Sequence, residues 1–299
     1  MTSLAMLLAA ANPVVSMFPQ NVTFHAGFDD GTVEAAVGMT PDHSRSWKNY
    51  ALCEGLFGKG LSRGQVGYSQ NQEQPLIDGD RPGTVVLWVR LNREQEPEIR
   101  GSRISRWEGG NTYFGVSGTN GTRLLVMKSA DTRWNEGMAC LYVCRQDDFG
   151  KLSTRMVSAR LSYADWETGT WRMIAAAWTA DKLYVSVDGK PFAERPYDFS
   201  LGKLAGSVCV KTSYWDEKRD RNATSLSSST IDEVTVFNRK LTNAEIDSIY
   251  ENTKNAALSH SVGAARFADA AQLLFGGGEP VSPLHGCGAN GIIHLEPRK

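Results

Sequence analysis

Apolar and polar residues alternate with a period of two along much of this chain, the pattern of strands that bury one face. The clearest run is Pro82 to Leu91. Val85, Leu87, Val89 and Leu91 share one face there, and Val86, Trp88 and Arg90 share the other. Trp171 to Trp178 and Leu183 to Val187 predict a hairpin that turns through Thr179-Ala-Asp181. Asp188-Gly189 makes the next tight turn, because glycine tolerates positive φ and aspartate nearly does. Shorter strands are expected at Arg103 to Trp107, Tyr113 to Val116, Leu124 to Lys128, Met138 to Arg145 and Val208 to Thr212. A first strand is expected within Asn21 to Asp30, and Gln146 to Tyr163 is irregular enough to read as an insertion.

The pattern changes period between Ser229 and Tyr250. In Ser229 to Phe237, alternation puts Asp232, Val234 and Val236 on one face and Glu233, Thr235 and Phe237 on the other. A short helix follows: Thr242 is its N-cap, Glu245 closes a capping box, and Leu241 staples onto Ile246. Ile246, Ile249 and Tyr250 then form one apolar stripe at helical spacing. Asp232 is the misfit, since a carboxylate sharing a face with two valines is costly unless a cation or several donors receive it.

Composition narrows the class. With 299 residues, 22% charged and 41% hydrophobic, the chain is globular and long enough for one large β domain or two ordinary ones. A net charge of −1 gives no global field to attract nucleic acid or an anionic membrane. Residues 1–16 are small and apolar around Leu4 to Leu8, with Val14-Val15-Ser16 as a cleavage site. They read as a secretory signal or its remnant, although the usual basic start is missing. Asn12 and Pro13 interrupt the run too early for a membrane span. The five cysteines have no zinc-type spacing. Beyond Asn255 an alanine-rich stretch, Val262 to Leu274, suggests a helix, and the glycine- and proline-rich remainder to 299 suggests a mobile tail.

Several ordered blocks resemble the laminin-G-like domains of the concanavalin A-like lectin/glucanase superfamily. They are the Phe-Asp opening at Phe28-Asp29, Gly55-Leu-Phe-Gly-Lys-Gly-Leu, the Trp88 strand, Gly169-Thr-Trp, Leu183-Tyr-Val-Ser-Val-Asp-Gly, and Ile231-Asp-Glu-Val before the Leu-Thr-x-x-Glu-Ile helix. The resemblance covers about Val22 to Asn252. It implies an all-β fold: a single antiparallel jelly-roll β-sandwich with a short helix after its last strand, and with its first and last strands adjacent.

The resemblance also implies a secreted, periplasmic or cell-surface module, a non-catalytic carbohydrate-binding or adhesion domain whose partner is a glycan or a cell-surface protein; the alternatives are a structural or protein-interaction domain of an envelope assembly and a diverged glycoside hydrolase. The superfamily includes glycoside hydrolases, whose retaining members carry a Glu-x-Asp-x-x-Glu strand; that spacing does not occur here. For sugar contact the best candidates are Trp134, Tyr214 and Trp215, aromatic rings in polar, turn-like stretches that suit stacking on a pyranose. The bland alternative is that they cap the ends of the sandwich. Asp29, Asp30 and Asp232 are the candidate metal ligands, brought together where first and last strands meet. Carboxylates without a histidine or cysteine set favour Ca²⁺. The alternative leaves Asp29-Asp30-Gly31 an ordinary turn, with Asp232 accepting backbone N–H groups at a bulge.

Overall fold

The computed structural model describes residues 12–44, 46, 50–70, 75–92, 111–118, 121–131, 136–146, 149–161, 167–212 and 229–274. Two antiparallel sheets face each other. The first uses β1 (Val22–Ala26), β3 (Ala51–Glu54), β4 (Lys59–Arg63), β6 (Gly83–Leu91), β11 (Trp171–Trp178), β12 (Lys182–Val187), β13 (Ala193–Pro196) and β15 (Ser229–Phe237). Its order is β13-β12-β11-β6-β15-β4-β3, with β1 also paired to β15. The second uses β2 (Thr40–Pro41), β5 (Gln65–Ser69), β7 (Asn111–Ser117), β8 (Arg123–Asp131), β9 (Glu136–Gln146), β10 (Leu152–Leu161) and β14 (Val208–Lys211). Its order is β10-β9-β8-β7-β14-β5-β2.

Strand alternation explains the layers. Val85, Leu87 and Val89 of β6 point between the sheets, where they join Phe24, Trp178 and Ile231 from the same sheet and Tyr68, Phe114 and Leu141 from the other. The opposite face of β6, with Val86 and Trp88, lies under two helices. These are α1 (Pro13–Met17) and α2 (Asn243–Leu274). Val14 of α1 and Ile246 and Ile249 of α2 are fully buried against that face, and the Tyr250 ring stacks on Trp88 with centroids 5.7 Å apart. A strand apolar on both faces is what a sheet covered on both sides requires.

The expected capping box is formed. Glu245 N–H donates to Thr242 Oγ1 at 3.2 Å, and Thr242 N–H donates back to Glu245 Oε2 at 2.8 Å. Leu241 and Ile246 pack in the same outer cluster, as the staple requires.

One expectation needs correction. Residues 152–161 form no irregular insertion: β10 pairs with β9 in continuous register from Leu152↔Gln146 to Leu161↔Gly137. Its polar residues, Ser153, Thr154, Arg155 and Ser158, mask the period, because β10 ends the sheet order and needs only one apolar face. The alanine-rich stretch is helical, as expected. It continues α2 without a break, since no proline stops the chain between Asn243 and Leu274. Val14-Val15-Ser16 lies inside α1, where Val14 and Val15 are buried in the outer layer.

Candidate metal centre

β1 and β15 run side by side in antiparallel register from Val22↔Phe237 to Ala26↔Val234. Past Ala26 the chain turns sharply. Phe28 is buried yet sits at φ 61, a left-handed conformation that a bulky residue adopts only under constraint, and Asp29 follows it. On β15 the pairing with β6 slips between Asp232↔Trp88 and Thr235↔Val86, where two residues, Glu233 and Val234, oppose the single Leu87 of the partner. This bulge centres on Glu233, at φ 56.

The bulge corrects the alternation expected for β15. Ile231 before it and Val234 and Val236 after it all enter the inter-sheet core. Asp232 lies opposite Trp88, on the outer face, and does not share the valines' side. Glu233 is rotated to join it. Ligand oxygens of Asp29, Asp232 and Glu233 lie within 4.8 Å of one another, with Asp29 exposed and the two β15 acids fully buried.

Each buried acid has a defined surround. Asp232 Oδ2 accepts from Leu56 N–H at 2.7 Å and Phe57 N–H at 3.3 Å, and Oδ1 accepts from Glu233 N–H at 2.9 Å. Close approach of that loop requires glycine at 55, where a Cβ would stand 2.4 Å from Asp232 Oδ2. Glu233 Oε2 accepts from Asn12 Nδ2 at 2.5 Å, while Glu233 Oε1 is buried with no hydrogen-bond partner. Among the described residues no basic side chain pairs with Asp232 or Glu233.

Electrostatics follow from that geometry. Burial, then the neighbouring Glu233 and Asp29 charges, hold the Asp232 carboxyl well above the usual carboxylate range, against the pull of the Leu56 and Phe57 N–H groups. Burial and the Asp29 charge push Glu233 up to about 8, opposed by the Asn12 donor. Three acids that disfavour one another's ionisation are the electrostatic complement of a cation.

The site therefore contains Asp29 and Asp232, as the sequence reading expects, but not Asp30. The Asp30 side chain turns away and accepts from Thr32 N–H at 3.0 Å and Thr32 Oγ1 at 2.8 Å. The alternative for Asp232 is partly realised as well, since it does accept backbone donors beside a bulge. Glu233 escaped the sequence reading because strict alternation sends it to the opposite face; the signal was two consecutive acids inside a β-branched strand. Asn12 escaped because Asn12-Pro13 reads as an interruption, whereas it is an N-cap followed by proline at the first helical position. Trp134, Tyr214 and Trp215 lie outside the described residues.

A sandwich whose first and last strands pair under a terminal helix defines a class. The description "Concanavalin A-like lectin/glucanases superfamily" matches residues 64–247, and the chain belongs to that superfamily. No curated protein matches it in sequence. Among solved structures it is similar to the botulinum neurotoxin serotype D/C VPI 5993 binding domain, at 12% identity and a TM-score of 0.53, covering 78% of this chain and 52% of that one. It is also similar to the serotype D binding domain, at 11% identity and a TM-score of 0.52, covering 80% of this chain and 52% of that one. A third is the neurotoxin DC binding domain in complex with rat synaptotagmin II, at 12% identity and a TM-score of 0.51, covering 78% and 52%. The chain thus spans about half the length of these structures, and at such identities the likeness is one of fold. Among the described residues no helix is long and apolar enough to cross a membrane.

Proposed function

We propose that this chain is a non-catalytic binding module, secreted or held at a cell surface, whose sandwich is clamped by a structural divalent cation. The observation that carries the clamp is the unpartnered, fully buried Glu233 Oε1 beside Asp29 and Asp232, because a buried carboxylate oxygen without a partner is costly until a cation meets it. Ca²⁺ is the ion that three carboxylates alone would select. It would tie the turn after β1 to the bulge of β15, and so hold together the two ends of the sandwich domain.

Membership of a lectin-containing superfamily supports a glycan as the ligand, with Trp134, Tyr214 and Trp215 as the contact residues to test. A protein partner is the second reading. It draws on the structural neighbour that forms a complex with synaptotagmin II. A glycan array separates the two: saturable binding that falls on Trp215→Ala supports the first. A blank array with a protein ligand recovered from cell surfaces replaces it with the second, and release of reducing sugar from a polysaccharide panel overturns both. The clamp has its own test. Millimolar Ca²⁺ should raise the melting temperature and chelator lower it, the gain being about 2.7 kcal/mol at a hundredfold excess over Kd. Asp232→Asn should abolish most of that difference. Identical melting with Ca²⁺ and with chelator would remove the cation from the account.

A further inference from the structure

We infer that the short helix α1 is a strap whose docking is coupled to occupancy of the cation site: a bound ion holds it down, and removal of the ion lets it lift. This rests on the cation reading above and goes beyond it to the control of the same site. Asn12 touches both parts. Its Oδ1 accepts from Val14 N–H at 2.9 Å and Val15 N–H at 3.3 Å, and its Nδ2 donates to Glu233 Oε2 at 2.5 Å. The other oxygen of that carboxylate, Oε1, is buried with no hydrogen-bond partner. The strap and the ion would therefore hold opposite oxygens of one side chain.

α1 has five residues, too few to persist as a helix through local bonds, so its contacts keep it in place. Val14 is fully buried in a cluster with Phe237, Ile246 and Ile249. The Phe18 ring meets Phe237 edge-on at 6.4 Å, and the Arg239 guanidinium lies 5.2 Å from its centre. Behind Phe18 the chain enters the sheet. Arg239 Nε donates to Asn21 Oδ1 at 3.1 Å, Asn238 N–H donates to the Asn21 carbonyl at 2.9 Å, and β1 begins at Val22. Residues 12–18 can thus lift while β1 stays paired. The sign of the coupling follows from the fate of one oxygen. With α1 docked and the site empty, Glu233 Oε1 has neither donor nor water, which is costly. Lifting α1 removes Asn12 and admits water to the carboxylate, whereas filling the site meets the same oxygen with a cation. The ion therefore favours the docked strap, and by reciprocity the docked strap tightens the ion by the same factor. Loss of the ion would bare part of the outer apolar cluster.

Hydrogen exchange read by mass spectrometry on the full chain, in chelator and in millimolar Ca²⁺ alone, tests the coupling. Ca²⁺ should slow exchange of the α1 amides at least about fivefold, the low end of usual coupling between sites, and leave β8 to β10 unchanged. Phe18→Ala is the discriminating variant, because Phe18 holds the strap through Phe237 and Arg239 rather than through the acids. It should weaken Ca²⁺ binding in calorimetry and α1 protection in Ca²⁺ by the same factor. Unchanged exchange in β8 to β10 checks that the sandwich of the variant is folded. Asn12→Ala should weaken both more strongly, since it also strips Glu233 of its donor. If Ca²⁺ binds while α1 exchange does not change, and Phe18→Ala keeps wild-type affinity, the strap is overturned and the cation site stands. If Ca²⁺ does not bind, the cation reading falls and the coupling falls with it.

Discussion

Asn12 donates its side-chain N–H to Glu233 Oε2 across 221 residues of chain, at 2.5 Å, while its own Oδ1 caps α1 by accepting from Val14 N–H at 2.9 Å. One side chain thus fixes the first helix and half-satisfies the buried carboxylate of the β15 bulge, whose other oxygen has no hydrogen-bond partner. Replacing Asn12 by Ala removes a cap worth about 0.5–2 kcal/mol and strips Glu233 of a donor, which adds about 1–3 kcal/mol. Equilibrium denaturation at pH 7 should show a loss within that combined range. Unchanged stability would mean that α1 is not energetically attached to the sandwich.

Metal-free protein should lose stability as pH rises from about 6.5 to 8. Glu233 has a folded pKa of about 8 against an ordinary 4.5, so the native state holds its proton where the unfolded chain has released it. A raised acid contributes stability below the unfolded value and loses it as pH climbs through the folded one, at about 1.4 kcal/mol per pH unit for each proton. His25 acts oppositely: its folded pKa of about 4 lies below the ordinary 6.5, so its contribution is present above 6.5 and is lost as pH falls towards 4. Between 4.5 and 6.5 the His25 slope opposes that of Glu233, to which the raised Asp232 carboxyl adds in the same direction, and above 6.5 only the acids' slopes remain. Denaturation midpoints in chelator across pH 5 to 8.5 check this. Glu233→Gln should flatten the upper limb.

Gly83→Ala should be costly although the substitution is only a methyl group. The added Cβ would lie 2.2 Å from Trp178 Cζ2, within the indole of a side chain that is 1% exposed and donates from Nε1 to the Asp78 carbonyl at 3.1 Å. The ring cannot swing aside without losing that bond, so overpacking of about 1–3 kcal/mol is expected. Near-ultraviolet circular dichroism should report displacement of the indole together with the fall in melting temperature.

The start of α2 should weaken in acid. Arg239, by its hydrogen bonds, and then the Thr242 donors hold Glu245 down to about 2 against burial. A depressed carboxylate contributes above its unfolded value near 4.5 and loses that contribution as pH falls towards 2. Because both side chains of the pair are partly exposed, at 32% and 25%, water screens it, and about 1 kcal/mol from the capping box is the expected effect of Glu245→Ala at pH 7. The difference between variant and wild type should shrink below pH 3.

The sequence by itself determined the sandwich, its central strand and the beginning of its terminal helix. Those features are local: Val85 to Leu91 alternates because adjacent residues of a strand face opposite ways, and Thr242 to Glu245 caps because the groups involved lie within one turn. It also marked Asp29 and Asp232 as belonging together. It could not place Glu233, because a bulge is set by what the strand packs against and shifts every later residue to the other face. Nor could it bring in Asn12, which reaches the cluster only because α1 covers the outer face. That contact joins residues more than two hundred positions apart, and pairing over such distances is decided by the burial of whole faces, a property of the folded layers that no short stretch of chain contains.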